Sequence, residues 1–127
     1  MRDQRLWTWH LGAGAVILVL LGLHMTVMHL ADVARIFNPD PAEPIAWANV
    51  AARARSVFFL VSYILLLGAA LFHGFYGLRN IVFELNPGAG AKKALSGVLV
   101  VAGLVLFVVG TWAAWAAFQA ARTGAAA

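Results

Sequence analysis

Three long apolar runs organise the chain, each separated from the next by a short polar segment. The first extends from about Trp9 to Leu30, the second from about Val57 to Leu78 with helical character to Glu84, and the third from about Ala94 to Ala117. Each is near the ~20 residues that a helix needs to cross a hydrocarbon core of ~30 Å. Backbone in lipid must satisfy its own hydrogen bonds, which leaves only helices and closed barrels. These runs are continuous and lack the in-out alternation of barrel strands. The pattern therefore predicts an all-α membrane protein, a single transmembrane domain over residues 1–127 with helices at about 9–32, 55–84 and 93–121.

The polar segments predict how those helices connect. Asn38-Pro39-Asp40-Pro41 and Pro44 interrupt the chain after the first helix, because proline denies helix continuation. Ile45 to Ala54 is again compatible with a helix, one that would lie along the membrane surface before Arg55 leads into the second span. Asn86-Pro87-Gly88-Ala89-Gly90 reads as a tight turn, so the second and third spans should be antiparallel neighbours. No internal repeat stands out, and the only biased segment is the alanine-rich C-terminal tail.

Composition narrows the picture further. Hydrophobic residues make up 63% of the 127 and charged residues 11%, against about 45–50% and about 25% in soluble domains. A small water-soluble fold buries too little surface to hide that surplus. The net charge of +4 invites a nucleic-acid reading. Yet the basic residues stand singly or in pairs at the ends of apolar runs, with no basic stripe, so no nucleic-acid partner is expected. Trp7, Trp9, Trp112 and Trp115 suit aromatic belts at the water interfaces. With the N-terminus inside, the inner side holds Arg2, Arg5, Arg79, Lys92 and Lys93, and the outer side holds Arg35, Arg53, Arg55 and Arg122 with three of the five acids. That bias favours the N-terminus inside. The first run is longer than a signal-peptide core and lacks a small-x-small cleavage site, so it reads as a retained helix. The absence of cysteine excludes disulfides, thiolate metal sites and cysteine nucleophiles.

Ionisable groups inside lipid are expensive and call for a reason. His10, next to Trp9, and His29, near Asp32, fall at the two ends of the first span and read as interfacial. His24 and His73 fall inside their spans. At ~1.5 Å of rise per residue, His24 lies about 20 Å from Leu11 and His73 about 9 Å from Arg79, so they sit in opposite leaflets. Neutral imidazole is the commonest haem and metal ligand, and a haem macrocycle packs well among apolar side chains. Close approach of a flat ring needs small neighbours. His73 has Gly74 beside it and Gly77 one turn on, with Gly68, Ala69 and Ala70 before it. Arg79 and Asn80 follow towards the interface, where a propionate or a quinone carbonyl would accept their hydrogen bonds. Tyr76, Ser56 and Trp9 are further candidate contacts for quinone or propionates. The structural alternative is a histidine that only bridges helices, beside glycines that only permit tight packing.

Leu71-Phe72-His73-Gly74-Phe75-Tyr76-Gly77-Leu78-Arg79-Asn80 resembles the His-x-x-x-Gly-x-Arg segment in membrane anchors of succinate dehydrogenases and fumarate reductases. Leu23-His24-Met25-Thr26 resembles the helix-one histidine segment of the two-haem anchors of that family, although His29 is an alternative there. An acidic residue usually follows the arginine in the family, and here Glu84 stands at a looser spacing. The resemblance implies that His73 and His24 are axial ligands of haem iron, with Gly77, Arg79 and Tyr76 lining the cofactor. It also implies one or two haem b groups shared with a partner chain, and quinone as substrate. The partners implied are an iron–sulfur subunit, a flavoprotein subunit and a second membrane anchor that completes a larger helix bundle. Two haems with paired histidine ligands need four histidines, so another chain would supply the rest. The setting implied is a bacterial cytoplasmic membrane and an enzyme complex of respiratory complex II type, in the tricarboxylic acid cycle. The chain itself would lack the succinate-oxidising site. Two other readings compete: a haem-free anchor or assembly subunit, and a small proton-relay transporter component. The second is weakened by the lack of any carboxylate within the spans.

Overall fold

The computed structural model describes residues 2–30, 35, 40 and 43–124. Asp32, Asn38-Pro39 and Pro41 lie outside the described residues, as does the expected end of the first helix near residue 32. Among the described residues four helices follow in order: α1 (Arg2–His29), α2 (Trp47–Ala54), α3 (Val57–Glu84) and α4 (Ala89–Thr123). Three of them, α1, α3 and α4, are long and apolar enough to cross a membrane. The described residues are all-helical or connecting, and the chain is an integral membrane protein.

These helices carry apolar residues all round, as expected where the surroundings are lipid or other helices. Leu18 is 76% exposed and Val108 64%, levels that a soluble core would not tolerate over whole helices. α1 is helical from Arg2, well before the apolar run begins, so Trp7 and Trp9 stand on its first turns and both are exposed. α3 packs against α1 on one side and α4 on the other, while α1 and α4 make no backbone contact among the described residues. The spans thus form a row with α3 in the middle.

Two connections fix that row. Asn49 of α2 is 1% exposed. Its side chain donates to the carbonyls of Asp40 and Glu43, each at 2.6 Å, and accepts from the Asp40 N–H at 3.3 Å. Arg53 donates to the Pro44 carbonyl at 2.6 Å, and Arg55 Nε donates to the Ala121 carbonyl at 2.8 Å. The latter bond ties the start of α3 to the last turns of α4, where carbonyls have no helical partner.

At the other end, Leu85 closes α3 and Asn86 adopts φ 51°, a left-handed conformation that asparagine tolerates better than most residues. Its side chain accepts from Lys92 Nζ at 3.1 Å. The turn is shorter than the five residues expected, because α4 starts at Ala89. The Gly88 carbonyl accepts from the Lys92 N–H at 3.1 Å, which places Gly90 inside the first turn.

Candidate functional site

On the α1 side of α3, two histidines meet. The imidazoles of His10 and His73 are stacked, with centroids 4.0 Å apart and planes 9° from parallel. His73 Nδ1 lies 3.1 Å from the backbone carbonyl oxygen of His10. A carbonyl can only accept, so this bond puts the proton on Nδ1 and leaves the Nε2 lone pair available. Nε2 makes no hydrogen bond among the described residues. His10 Nδ1 is buried without a partner.

The reason the rings can meet lies one turn along each helix. A Cβ on Gly14 would come within 3.1 Å of the His73 ring, and one on Gly77 within 3.4 Å of the His10 ring. His10-x-x-x-Gly14 on α1 therefore faces His73-x-x-x-Gly77 on α3 in antiparallel register, each histidine seated on the other helix's glycine. Tyr76 adds a third ring, 5.2 Å from His10 and tilted by 49°. Phe72 stacks on Tyr76 at 5.7 Å.

This arrangement changes two readings. His10 is half-buried against His73 rather than solvated at the interface. Gly77 makes room for the His10 imidazole, while Gly74 is exposed and would meet nothing within 4 Å. The sequence signal that locates His10 was present: the same His-x-x-x-Gly spacing occurs in both helices.

The other candidate residues lie elsewhere. His24 is exposed on α1, bordering a small cavity of about 140 Å³ with Arg53, Phe59, Ser62 and Tyr63. From Gly14, which touches His73, α1 rises about 15 Å to His24, so the two histidines occupy different levels. His29 is exposed at the last position of α1. Ser56 precedes α3 without a side-chain capping bond, and Trp9 is 72% exposed.

Arg79 faces α4. Its Nε donates to Ser96 Oγ at 3.2 Å, an Nη donates to Asn80 Oδ1 at 3.2 Å, and its guanidinium lies 4.2 Å over the Phe83 ring. Arg79 and Tyr76 both line a groove of about 760 Å³ between α3 and α4, which His73 does not line. The structure brings His73 together with His10, Gly14, Gly77 and Tyr76, and separates it from Arg79 and His24.

Among the described residues no three or more His, Cys, Asp or Glu side chains cluster as a metal cage. A haem asks less, namely one imidazole nitrogen on each face of the iron. His73 fits one such position, since its tautomer is set by a carbonyl, the usual companion of a metal-bound histidine. His10 does not fit the other. Two rings stacked face to face at 4.0 Å leave no room for an iron between them. A second ligand would have to come from another chain.

No family model matches the chain, and no solved structure is significantly similar to it. Over 106 residues it is 29% identical to the succinate dehydrogenase hydrophobic membrane anchor subunit of Archaeoglobus fulgidus. The match covers 84% of this chain and 83% of the relative.

Proposed function

From its similarity to a succinate dehydrogenase membrane anchor subunit, we propose that this chain is the haem b-binding anchor subunit of a succinate:quinone or quinol:fumarate oxidoreductase. The observation that carries the haem assignment is the bond from His73 Nδ1 to the His10 carbonyl, which orients a half-buried imidazole and keeps Nε2 free to bind iron. When bound, haem b would pass single electrons between an iron–sulfur partner and membrane quinone. His73 is assigned as one axial ligand, with a partner chain supplying the other.

His24, at a different level and exposed on α1, is assigned to a second haem shared with that partner. Gly77 acts at one remove, by seating His10. Tyr76, packed on His10, is the hydroxyl assigned to a quinone carbonyl, while Arg79 is turned to the groove and serves whatever anionic or carbonyl group enters there. The chain has no cysteine with which to hold an iron–sulfur cluster. A flavoprotein and an iron–sulfur subunit would therefore carry the succinate chemistry.

One observation also favours a second reading. The stacked histidines by themselves pin α1 to α3, as a haem-free anchor would require. A reduced-minus-oxidised spectrum of the purified complex separates the two, recorded for the parent, His73→Ala and His24→Ala. Loss of one b-type component in each variant supports two haems with the assigned ligands. Loss in His73→Ala alone leaves one haem and makes His24 structural. A parent without a b-type band overturns the haem assignment and leaves the pinned, haem-free anchor.

A further inference from the structure

The groove between α3 and α4 is a second site, separate from both intramembrane histidines. Its two ends differ in chemistry. The mouth is lined by Arg79, Lys92 and Lys93, with Ser96 between them, and no acidic residue lines any part of it. These cations hydrogen-bond to neutral groups: Arg79 to Ser96 and Asn80, Lys92 to Asn86. Their positive charge is therefore not cancelled within the groove.

Below the mouth the lining is apolar except for Tyr76. Phe72, Phe75, Leu99 and Val100 form the walls, and Gly68, Gly103 and Phe107 lie at the deep end. The length is informative. From Arg79 to Gly68 along α3 the groove descends about 16 Å at the helical rise, which matches the half-thickness, about 15 Å, of a bilayer's hydrocarbon core. A channel one leaflet deep, apolar but for Tyr76 and cationic at its surface end, has the shape and polarity of a single membrane lipid with a negative headgroup.

We propose that this groove binds an anionic phospholipid, the phosphate held by Arg79, Lys92 and Lys93 and an acyl chain lying along Phe72, Phe75 and Val100. The headgroup sits on the side of the membrane where α1 begins, since Leu6 of α1 also reaches the groove. Charge decides the occupant. A neutral lipid or a partner's apolar helix would cover the walls equally well but would leave three cations facing no counter-charge, whereas juxtamembrane basic residues bind acidic lipid surfaces. The serine hydroxyl and the guanidinium suit phosphate oxygens, which accept several hydrogen bonds at once.

The test uses the complex as purified, returned to bilayers that contain spin-labelled phosphatidylglycerol or spin-labelled phosphatidylcholine. The measured quantity is the fraction of each label that the protein immobilises. The expected result is a preference for phosphatidylglycerol of roughly ten-fold, given the contribution of each basic residue at a membrane surface. It should fall to about two-fold in the Lys92→Gln/Lys93→Gln double variant, and also at high salt. Val100→Trp, which fills the body of the groove without touching its charge, should remove the preference while leaving both lysines in place.

Equal immobilisation of the two lipids by the parent overturns the proposal. So does a preference that survives both sets of substitutions. A further arm identifies the rival occupant. This chain has no native cysteine, so Val100→Cys gives its one attachment point for a photo-crosslinker, and the parent complex treated alike controls for cysteines of the other subunits. Capture of lipid there supports the proposal, and capture of another subunit's helix overturns it. Neither result depends on whether haem is present.

Discussion

The two sides of α3 both use glycine to receive a larger side chain, yet they differ in how tightly they specify their partner. Towards α1, each glycine takes an imidazole, and the imidazoles are fixed to one another by stacking and by a hydrogen bond to backbone. A slip of one residue would break both seats and the bond together, so this seam sets register. Towards α4, Gly68 receives Phe107, Gly103 receives Phe75 and Gly110 receives Leu67. Those contacts are apolar and non-directional, and the side chains can turn aside. In lipid, where apolar burial does not drive helices together, small residues bring backbones close and a polar contact chooses the alignment. The α1 seam joins both devices at one point; the α4 seam has its glycine contacts along its length, polar contacts only towards its ends (Arg79 to Ser96, Arg55 to Ala121), and a groove beside it.

Substitutions can break this contrast, and the largest effect is expected at His73. His73→Ala should abolish a b-type band outright. His10→Phe keeps a flat ring and the same backbone carbonyl, and should retain that band with a displaced midpoint potential. A redox titration of both variants checks the pair, and equal loss in the two would mean that the His10 side chain, not its carbonyl, is what His73 requires.

Next in size is Gly14→Val, which forces a branched side chain into the His73 ring. Overpacking of this kind costs about 1–3 kcal/mol. Gly12 meets nothing within 4 Å, so Gly12→Val should leave the thermal unfolding midpoint in detergent close to that of the parent. Gly103→Ala is a milder insult, because the Phe75 ring that a Cβ would meet at 3.1 Å can rotate away. A loss of about 1 kcal/mol or less is expected there, read by the same unfolding measurement. If Gly103→Ala proves as damaging as Gly14→Val, the α4 seam is as rigid as the α1 seam and the contrast fails.

The smallest effect sharpens the picture from outside both seams. Gly74→Ala adds a methyl group where nothing lies within 4 Å. In the isolated chain it should be neutral or stabilising by up to about 1 kcal/mol, since glycine is a poor helix former. A loss confined to the assembled complex would instead mark Gly74 as a contact with a partner.

Much of the fold was legible because the bilayer imposes lengths and composition that survive in any single sequence. The three apolar runs and the turn at Asn86 could be read directly. The site was legible unevenly. His73 stood out by depth, and its glycine context by spacing. His10 was overlooked because its position beside Trp9 and near the chain start suggests water, a cue that outweighed the His-x-x-x-Gly spacing it shares with His73. The face assignment of Arg79 was likewise out of reach: six residues beyond His73 on a helix is about a third of a turn away in azimuth, so sequence proximity did not imply a shared pocket. What Asn49 does for the loop depends on carbonyls of Asp40 and Glu43, a contact that no local pattern announces.

The row arrangement has a consequence for how the protein is made. Among the described residues the α1 backbone packs against α3 and not α4, and the paired histidines with their glycines all lie before Glu84. The ribosome delivers helices in chain order. The histidine seam can therefore close as soon as α3 enters the membrane, while α4 is still being synthesised. A chain truncated just beyond Lys93 would already hold the His73 imidazole in its final orientation, before the last span is in place.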